Sequence, residues 1–262
     1  MIKPFTLGEI FDAVCCKSDS APGFDQIDKN VYKCLFKDEK GYSIVIRFVQ
    51  KILNAWFDCG VCPTHFSKGV ISLLPKPGKE NSTKYAHKRP ITLLSDFSKI
   101  GTKIIANRLS DILHRWDILD PSQAGFIKEG SCDKPIRFLM DQIKRCNDEG
   151  RFFLGIWIDL SKAFDLVFPE VIEATLYRFD FPEKLIRFLV NYYKSALSAY
   201  KTAWGRTEFF QLKNGIRQGC PLSPLMFLMV IDSFHSYMRD LDHSVGIGIR
   251  WGANMERKEV SL

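Results

Sequence analysis

The chain has 262 residues, 46% hydrophobic and 26% charged, enough to bury a core in one large or two small domains. No apolar run reaches membrane-spanning length, and the opening "MIKPFTLGEIFDAV" lacks the apolar core of a signal peptide, so the expected location is intracellular, nuclear or cytoplasmic. Eight scattered cysteines, with Cys15 beside Cys16, suit a reducing compartment better than a disulfide framework, and a net charge of +7 favours an acidic partner.

In chain order, the first strong periodicity is Ile44, Val45, Phe48, Val49, Ile52, Leu53, Trp56 and Phe57, which predicts an amphipathic helix. "CGVCPTH" follows, where Cys59, Cys62 and His65 raise the question of zinc. No second Cys/His pair stands at finger spacing, and a helix end at Gly60 with a turn at Pro63 explains the residues better.

Between Lys68 and Arg108 there are nine Lys and Arg against Glu80 and Asp96, a local excess equal to the charge of the whole chain. The bases flank predicted strands at Val70–Leu74 and Ile91–Leu94 around the loop "PKPGKENSTKYAHKR". A charge run is usually a solvated face. A hairpin tip carrying Lys76, Lys79, Lys84, Lys88 and Arg89 also suits polyphosphate or a nucleic-acid backbone.

Helices are predicted over Ile100–Leu113 and around Ile136, Leu139, Met140 and Ile143. In "LGIWIDLSKAFDLV" the apolar run Phe152–Ile158 reads as a buried strand that delivers Asp159 at its end, with Ser161–Phe164 turning into a helix. A carboxylate at a core edge needs a metal, a base or water, or else serves as a helix N-cap. Further on, Leu185–Tyr193 reads as a helix and "AYKTAWGRTEFFQL" as a hairpin turning at Trp204-Gly205.

The stretch "NGIRQGCPLSPLMFLMVIDSF" places Arg217 and Gln218 between glycines, then Ser223-Pro224 ahead of an apolar helix. A tight loop capping a helix explains the Ser and Pro. The Gln held between Arg and Gly points further, to a loop that packs on a base or sugar. Helices and strands intersperse without βαβ regularity, so the class is α+β.

Taken in order, "APGFDQI", "ISLLPKPGK" with "KRPITLLSDFSKIGTKIIANRL", "PSQAGFIKEGSC", "IDLSKAFD" and "GIRQGCPLSP" resemble the reverse transcriptase domain of non-LTR (LINE-type) retrotransposons, and more distantly that of group II intron proteins. The resemblance implies right-hand fingers and a partial palm, an antiparallel palm sheet with packed helices. Residues 1–145 would be mainly fingers with interleaved palm helices, and 146–262 palm. It implies an RNA template, a DNA primer and deoxynucleoside triphosphates, joined with Mg²⁺ or Mn²⁺. By analogy Asp159 ligates the metals and Leu160 offers its backbone carbonyl. Phe164 gates the sugar, Gln218 and Gly219 floor the nucleotide, and Lys76 and Arg89 hold its triphosphate. Lys79, Lys84, Lys88 and Arg217 would meet nucleic acid.

The resemblance also sets up an expected gap. Two-metal transfer needs more than one carboxylate, and the family draws the others from an Asp-Asp hairpin, whereas this chain has no Asp-Asp pair. "RKEVSL" looks like the strand leading to that hairpin, so the chain reads as lacking its last palm hairpin, the thumb and any endonuclease domain, and as inactive alone. Asp232 is no obvious substitute and Asp165 has no metal role. Glu129-Gly130 and Phe24 depart from the family pattern. Two other readings stay open: an RNA-binding remnant without chemistry, and a generic two-metal nuclease, which leaves the Gln-Gly-Cys-Pro loop unexplained.

Overall fold

A computed structural model of the chain describes residues 2–15, 21–38, 41–127 and 130–245. Glu129 and the segment "RKEVSL" lie outside the described residues. The architecture is mixed α and β, with a small sheet among several helices. No helix among the described residues is long and apolar enough to cross a membrane.

The elements begin with α1 (Leu7–Cys15), α2 (Lys29–Phe36), a two-stranded ribbon β1 (Lys37–Asp38) and β2 (Gly41–Tyr42), and α3 (Ile44–Cys59). In α3 the residues Ile46, Val49, Leu53, Trp56 and Phe57 are buried at helical spacing. The helix stops where Gly60 adopts a left-handed φ of 67° and donates its N–H to the Trp56 carbonyl, so the turn reading of "CGVCPTH" matches the backbone. Trp56 packs among Phe66, Phe188 and Tyr192, with ring centroids 5.1, 4.9 and 5.9 Å away. Burying a side chain of this class stabilises the fold by roughly 1.5–3 kcal/mol.

A single turn, α4 (Thr64–Ser67), leads into strand β3 (Lys68–Pro75), which pairs antiparallel with β4 (Lys88–Leu94), as the two predicted strands require. Helix α5 (Asp96–Arg115) follows, capped by the Ser95 hydroxyl accepting the Ser98 N–H at 3.3 Å. Then come α6 (Asp133–Asp148), α7 (Pro169–Arg178), α8 (Glu183–Lys194), β5 (Leu197–Thr202), β6 (Gly205–Arg206), β7 (Phe210–Gln211) and α9 (Ser223–Val245).

The main sheet runs β4-β3-β5-β6, with β7 also on β5. Its pairs are antiparallel except one: β3 and β5 pair in parallel, Lys68 with Leu197 through Ile71 with Tyr200. The pairing follows from chain path: helices α5 to α8 intervene between the two strands, and a long crossover returns the chain in the same direction.

Residues 152–158 correct an expectation. They form no strand, and Phe152, Leu154, Ile156, Trp157 and Ile158 are exposed. Helix α6 just before them has no buried residue, and its stripe Ile136, Met140 and Ile143 faces solvent. Strand state depends on a partner ladder, and no strand among the described residues pairs with this run.

Candidate active site

Three stretches singled out in the sequence, "IDLSKAFD", "KRPITLL" and "GIRQGCPLSP", meet at the loop 215–219. Gly215 N–H donates to the Val167 carbonyl at 2.9 Å, and Ile216 N–H to the Phe164 carbonyl at 2.9 Å. These bonds fasten the loop to a 3-10 turn, Ala163–Leu166, entered through Lys162 at a left-handed φ of 54°. On its other side, the Gln218 carbonyl accepts the Thr92 N–H at 2.6 Å. Strand β4 is the edge of the sheet, so the loop takes up a backbone donor that would otherwise face out.

Gly219 explains why the loop can come this close. Its φ is +115°, and an added Cβ would lie 2.4 Å from the Thr92 carbonyl oxygen. The "APGFDQI" element meets the same strand from its end. A Cβ on Gly23 would lie 2.5 Å from the Ser95 nitrogen, and Lys99 donates to the Ala21 carbonyl at 3.2 Å.

Phe164 stacks on Phe227 of α9, centroids 5.2 Å apart and planes 16° off parallel, and is half-buried. Gln218 is half-buried and Gly219 exposed. Arg89 is exposed on β4, three residues from Thr92, a span of about 10 Å along a strand. The structure thus brings Phe164, Gln218, Gly219 and the strand carrying Arg89 together.

Lys76, Lys79 and Lys84 are exposed and Lys88 half-buried around the tip between β3 and β4. The tip is ordered by its own bonds: Lys76 N–H to the His87 carbonyl at 2.9 Å, Lys79 N–H to the Lys76 carbonyl at 2.9 Å, and a 2.7 Å bond between the Ser82 hydroxyl and His87 Nδ1. Burial first, then a hydrogen bond with Tyr200 of β5, push the Tyr85 phenol up to about 12.

Two expectations need correction. Arg217, expected at nucleic acid, is 2% exposed. Its Nη1 donates to the Ser67 carbonyl at 2.7 Å, and its guanidinium lies 4.7 Å from the Tyr192 ring centroid. It anchors the loop from beneath to the residue preceding β3. Asp159, expected at the mouth of a buried strand, is exposed in the same unpaired run as 152–158, with exposed Leu160 beside it. It caps no helix, since α7 begins at Pro169 with Phe168 as its N-cap. Ser223 opens α9, but its buried hydroxyl has no hydrogen-bond partner among the described residues.

The donor set does not fit a pair of divalent ions. No group of three or more metal-ligating side chains exists among the described residues, and Asp159 is exposed. Asp232 is committed elsewhere: it accepts the Asp120 N–H at 2.7 Å and pairs with Arg178 at 3.0 Å. Sequence reasoning missed this brace, along with the straps at Thr92 and Ser67. Backbone partners leave no mark in a motif.

The chain is similar to known proteins over most of its length. Residues 74–246 match the family model described as reverse transcriptase (RNA-dependent DNA polymerase). The "Transposon TX1 uncharacterized 149 kDa protein" of Xenopus laevis is 28% identical over 90% of the chain and 17% of its own length. The "Probable RNA-directed DNA polymerase from transposon BS" of Drosophila melanogaster is 27% identical over 86% of the chain and 24% of its own. The "Retrovirus-related Pol polyprotein from type-1 retrotransposable element R2" of Nasonia vitripennis is 25% identical over 88% of the chain and 21% of its own. The chain therefore spans between about a sixth and a quarter of the length of these relatives.

Proposed function

Because the chain belongs to the reverse transcriptase (RNA-dependent DNA polymerase) family, we propose that it holds the template RNA and the incoming deoxynucleotide of an RNA-directed DNA polymerase. In that reaction a primer 3′-oxygen attacks the α-phosphorus of the nucleotide and pyrophosphate leaves. Residues 1–145 serve mainly as fingers and 146–262 as palm. Lys76 and Arg89 hold the triphosphate, while Lys79, Lys84 and Lys88 take template phosphates. Phe164 faces the sugar, where a large ring leaves no room for a 2′-hydroxyl, and Gln218 and Gly219 form the floor.

One observation carries the reading: the loop 215–219 is bonded to the Phe164 turn on one side and to β4 on the other. It is the arrangement a nucleotide needs if its sugar and its phosphates are to be held by different segments. The family generally uses divalent ions, and Asp159 is the carboxylate assigned to them here. A pair of ions needs more carboxylates than one, so the described residues do not complete that site. The second reading is RNA binding without chemistry, which the basic tip would serve by itself.

The test is single-stranded RNA affinity across a salt series. Each phosphate contact contributes about 0.7 to the logarithmic salt slope for single strands. Lys79→Glu, Lys84→Glu and Lys88→Glu together should flatten the slope by about 2 and weaken binding far more than three reversals elsewhere. Affinity indifferent to salt, or to these changes, sinks the reading.

A further inference from the structure

The hairpin β5–β6 carries an unexplained group. Trp204 is 96% exposed at its tip. The last cross-strand pair is Thr202 with Gly205, leaving Ala203 and Trp204 as the turn. Gly205 takes a φ of +124°, and the Thr202 hydroxyl accepts the Trp204 N–H at 3.3 Å and donates to the Gly205 carbonyl at 3.0 Å. The turn is held, so the indole is presented on a fixed base.

Its neighbours are cations in an unfavourable pairing. Lys201 lies directly opposite Arg206, both exposed, and neither has an ion-pair partner among the described residues. Like charges directly opposite one another weaken a strand pair. Arg206 rests over Phe209, 4.4 Å from the ring centroid, and Lys68 lies 5.1 Å from the same ring and 5.6 Å from Phe24. An exposed indole at a turn backed by two exposed cations without a carboxylate partner among the described residues asks for a ligand with both a flat π-face and negative charge.

The sheet register places this tip. Strands β3 and β5 are parallel neighbours, with Ile71 level with Tyr200, so both hairpins turn at the same end of the sheet. The parallel ladder itself runs to Ile71 and Tyr200, and each strand continues beyond it into its own turn. The turn that carries Trp204 thus lies at the same end of the sheet as the tip that carries Lys76, Lys79, Lys84, Lys88 and Arg89.

We propose that the β5–β6 hairpin is a stacking platform for an unpaired stretch of template RNA, one base lying on Trp204 while Lys201 and Arg206 take the flanking phosphates. This rests on the polymerase reading and extends the strand's path beyond the β3–β4 tip. A duplex exposes a base face only at its end, so the platform selects single strands. An acidic protein surface would satisfy the charges but would not call for a bare indole on a rigid turn.

The experiment is fluorescence anisotropy of the 262-residue chain with an unstructured, end-labelled oligoribonucleotide. Trp204→Ala should weaken binding by about 5- to 100-fold, the cost of one lost base–aromatic stack, and leave the salt slope unchanged. Trp204→Phe should retain most of the affinity. Lys201→Gln with Arg206→Gln should lower the slope by about 1.4. Circular dichroism should show every variant folded like the parent, since these side chains are exposed. If Trp204→Ala binds within twofold of the parent while the reversals at Lys79, Lys84 and Lys88 abolish binding, the platform is overturned and the polymerase reading stands. No RNA binding by the parent overturns both. An equal loss on blunt duplex RNA, or a Trp204→Ala change in self-association with RNA affinity intact, overturns the platform in favour of a general or a protein contact.

Discussion

Gly219 and Thr92 are in direct backbone contact: the residue before Gly219 accepts the Thr92 N–H, and the Thr92 carbonyl fills the space a Gly219 side chain would need. A positive φ and a steric block act on the same residue. Gly219→Ala should therefore push the loop off β4 and destabilise the chain by about 1–3 kcal/mol. Chemical denaturation measures this directly. An unchanged midpoint would mean that the loop approaches β4 differently from the geometry described.

Asp232 illustrates a carboxylate whose work is structural. It is buried and holds the Asp120 N–H together with the Arg178 guanidinium, tying α9 to α7 and to the segment after α5. Asp232→Ala leaves the Asp120 N–H without that acceptor and should cost about 1–3 kcal/mol. Arg178→Ala should cost less, because that guanidinium is partly exposed. RNA affinity should not change in either variant. A selective loss of RNA binding by a stably folded Asp232→Ala would return this residue to the functional list.

How legible all this was in the sequence depended on how local the determinants are. Helix α3 and the β3–β4 hairpin were readable because spacing and a left-handed glycine sit within a few residues of what they control. The parallel pairing of β3 with β5 was not, because its partners are far apart in the chain. The Phe152–Ile158 run has a buried strand's composition, yet composition cannot supply a partner, and the run is exposed. Arg217 failed for the opposite reason. Its charge reads as surface, while its stem and guanidinium fit a buried slot against Tyr192 and the Ser67 carbonyl. Within the site, Gln218 and Gly219 were found by residue type, but what makes the glycine necessary is a strand carbonyl from another motif.

The N-terminal brace predicts an acid-side loss of stability. Burial alone would raise the Glu9 carboxyl, but the Arg108 guanidinium and the Thr6 N–H and hydroxyl outweigh it and hold the group below its usual value. Folding therefore favours the ionised form. The contribution is complete above the unfolded-state value near 4.5 and is lost as pH falls through the lower folded-state value. Thermal melts between about pH 3 and pH 6 should show stability rising with pH, and Arg108→Gln should flatten that rise. If Arg108→Gln melts with the parent's pH profile, the Glu9–Arg108 pair is not its source.

The last prediction concerns chemistry. Phosphoryl transfer draws most of its acceleration from positioning and from charge placed where it develops, and a two-metal site needs several carboxylates to hold that charge. Around the Phe164 turn and the 215–219 loop the positioning parts converge, while Asp159 is exposed and belongs to no group of three ligands among the described residues. The 262-residue chain should therefore bind a primer annealed to an RNA template yet show no measurable extension with deoxynucleotides and Mg²⁺. Primer extension and binding are measured on the same sample, so a silent assay cannot be blamed on a chain that fails to engage its substrate. Asp159→Asn should leave RNA affinity close to the parent's, because the residue makes no contact that holds the site together. Mg²⁺-dependent extension by the parent would show that the metal ligands have been misassigned. Full extension by Asp159→Asn as well would remove Asp159 from the chemistry altogether.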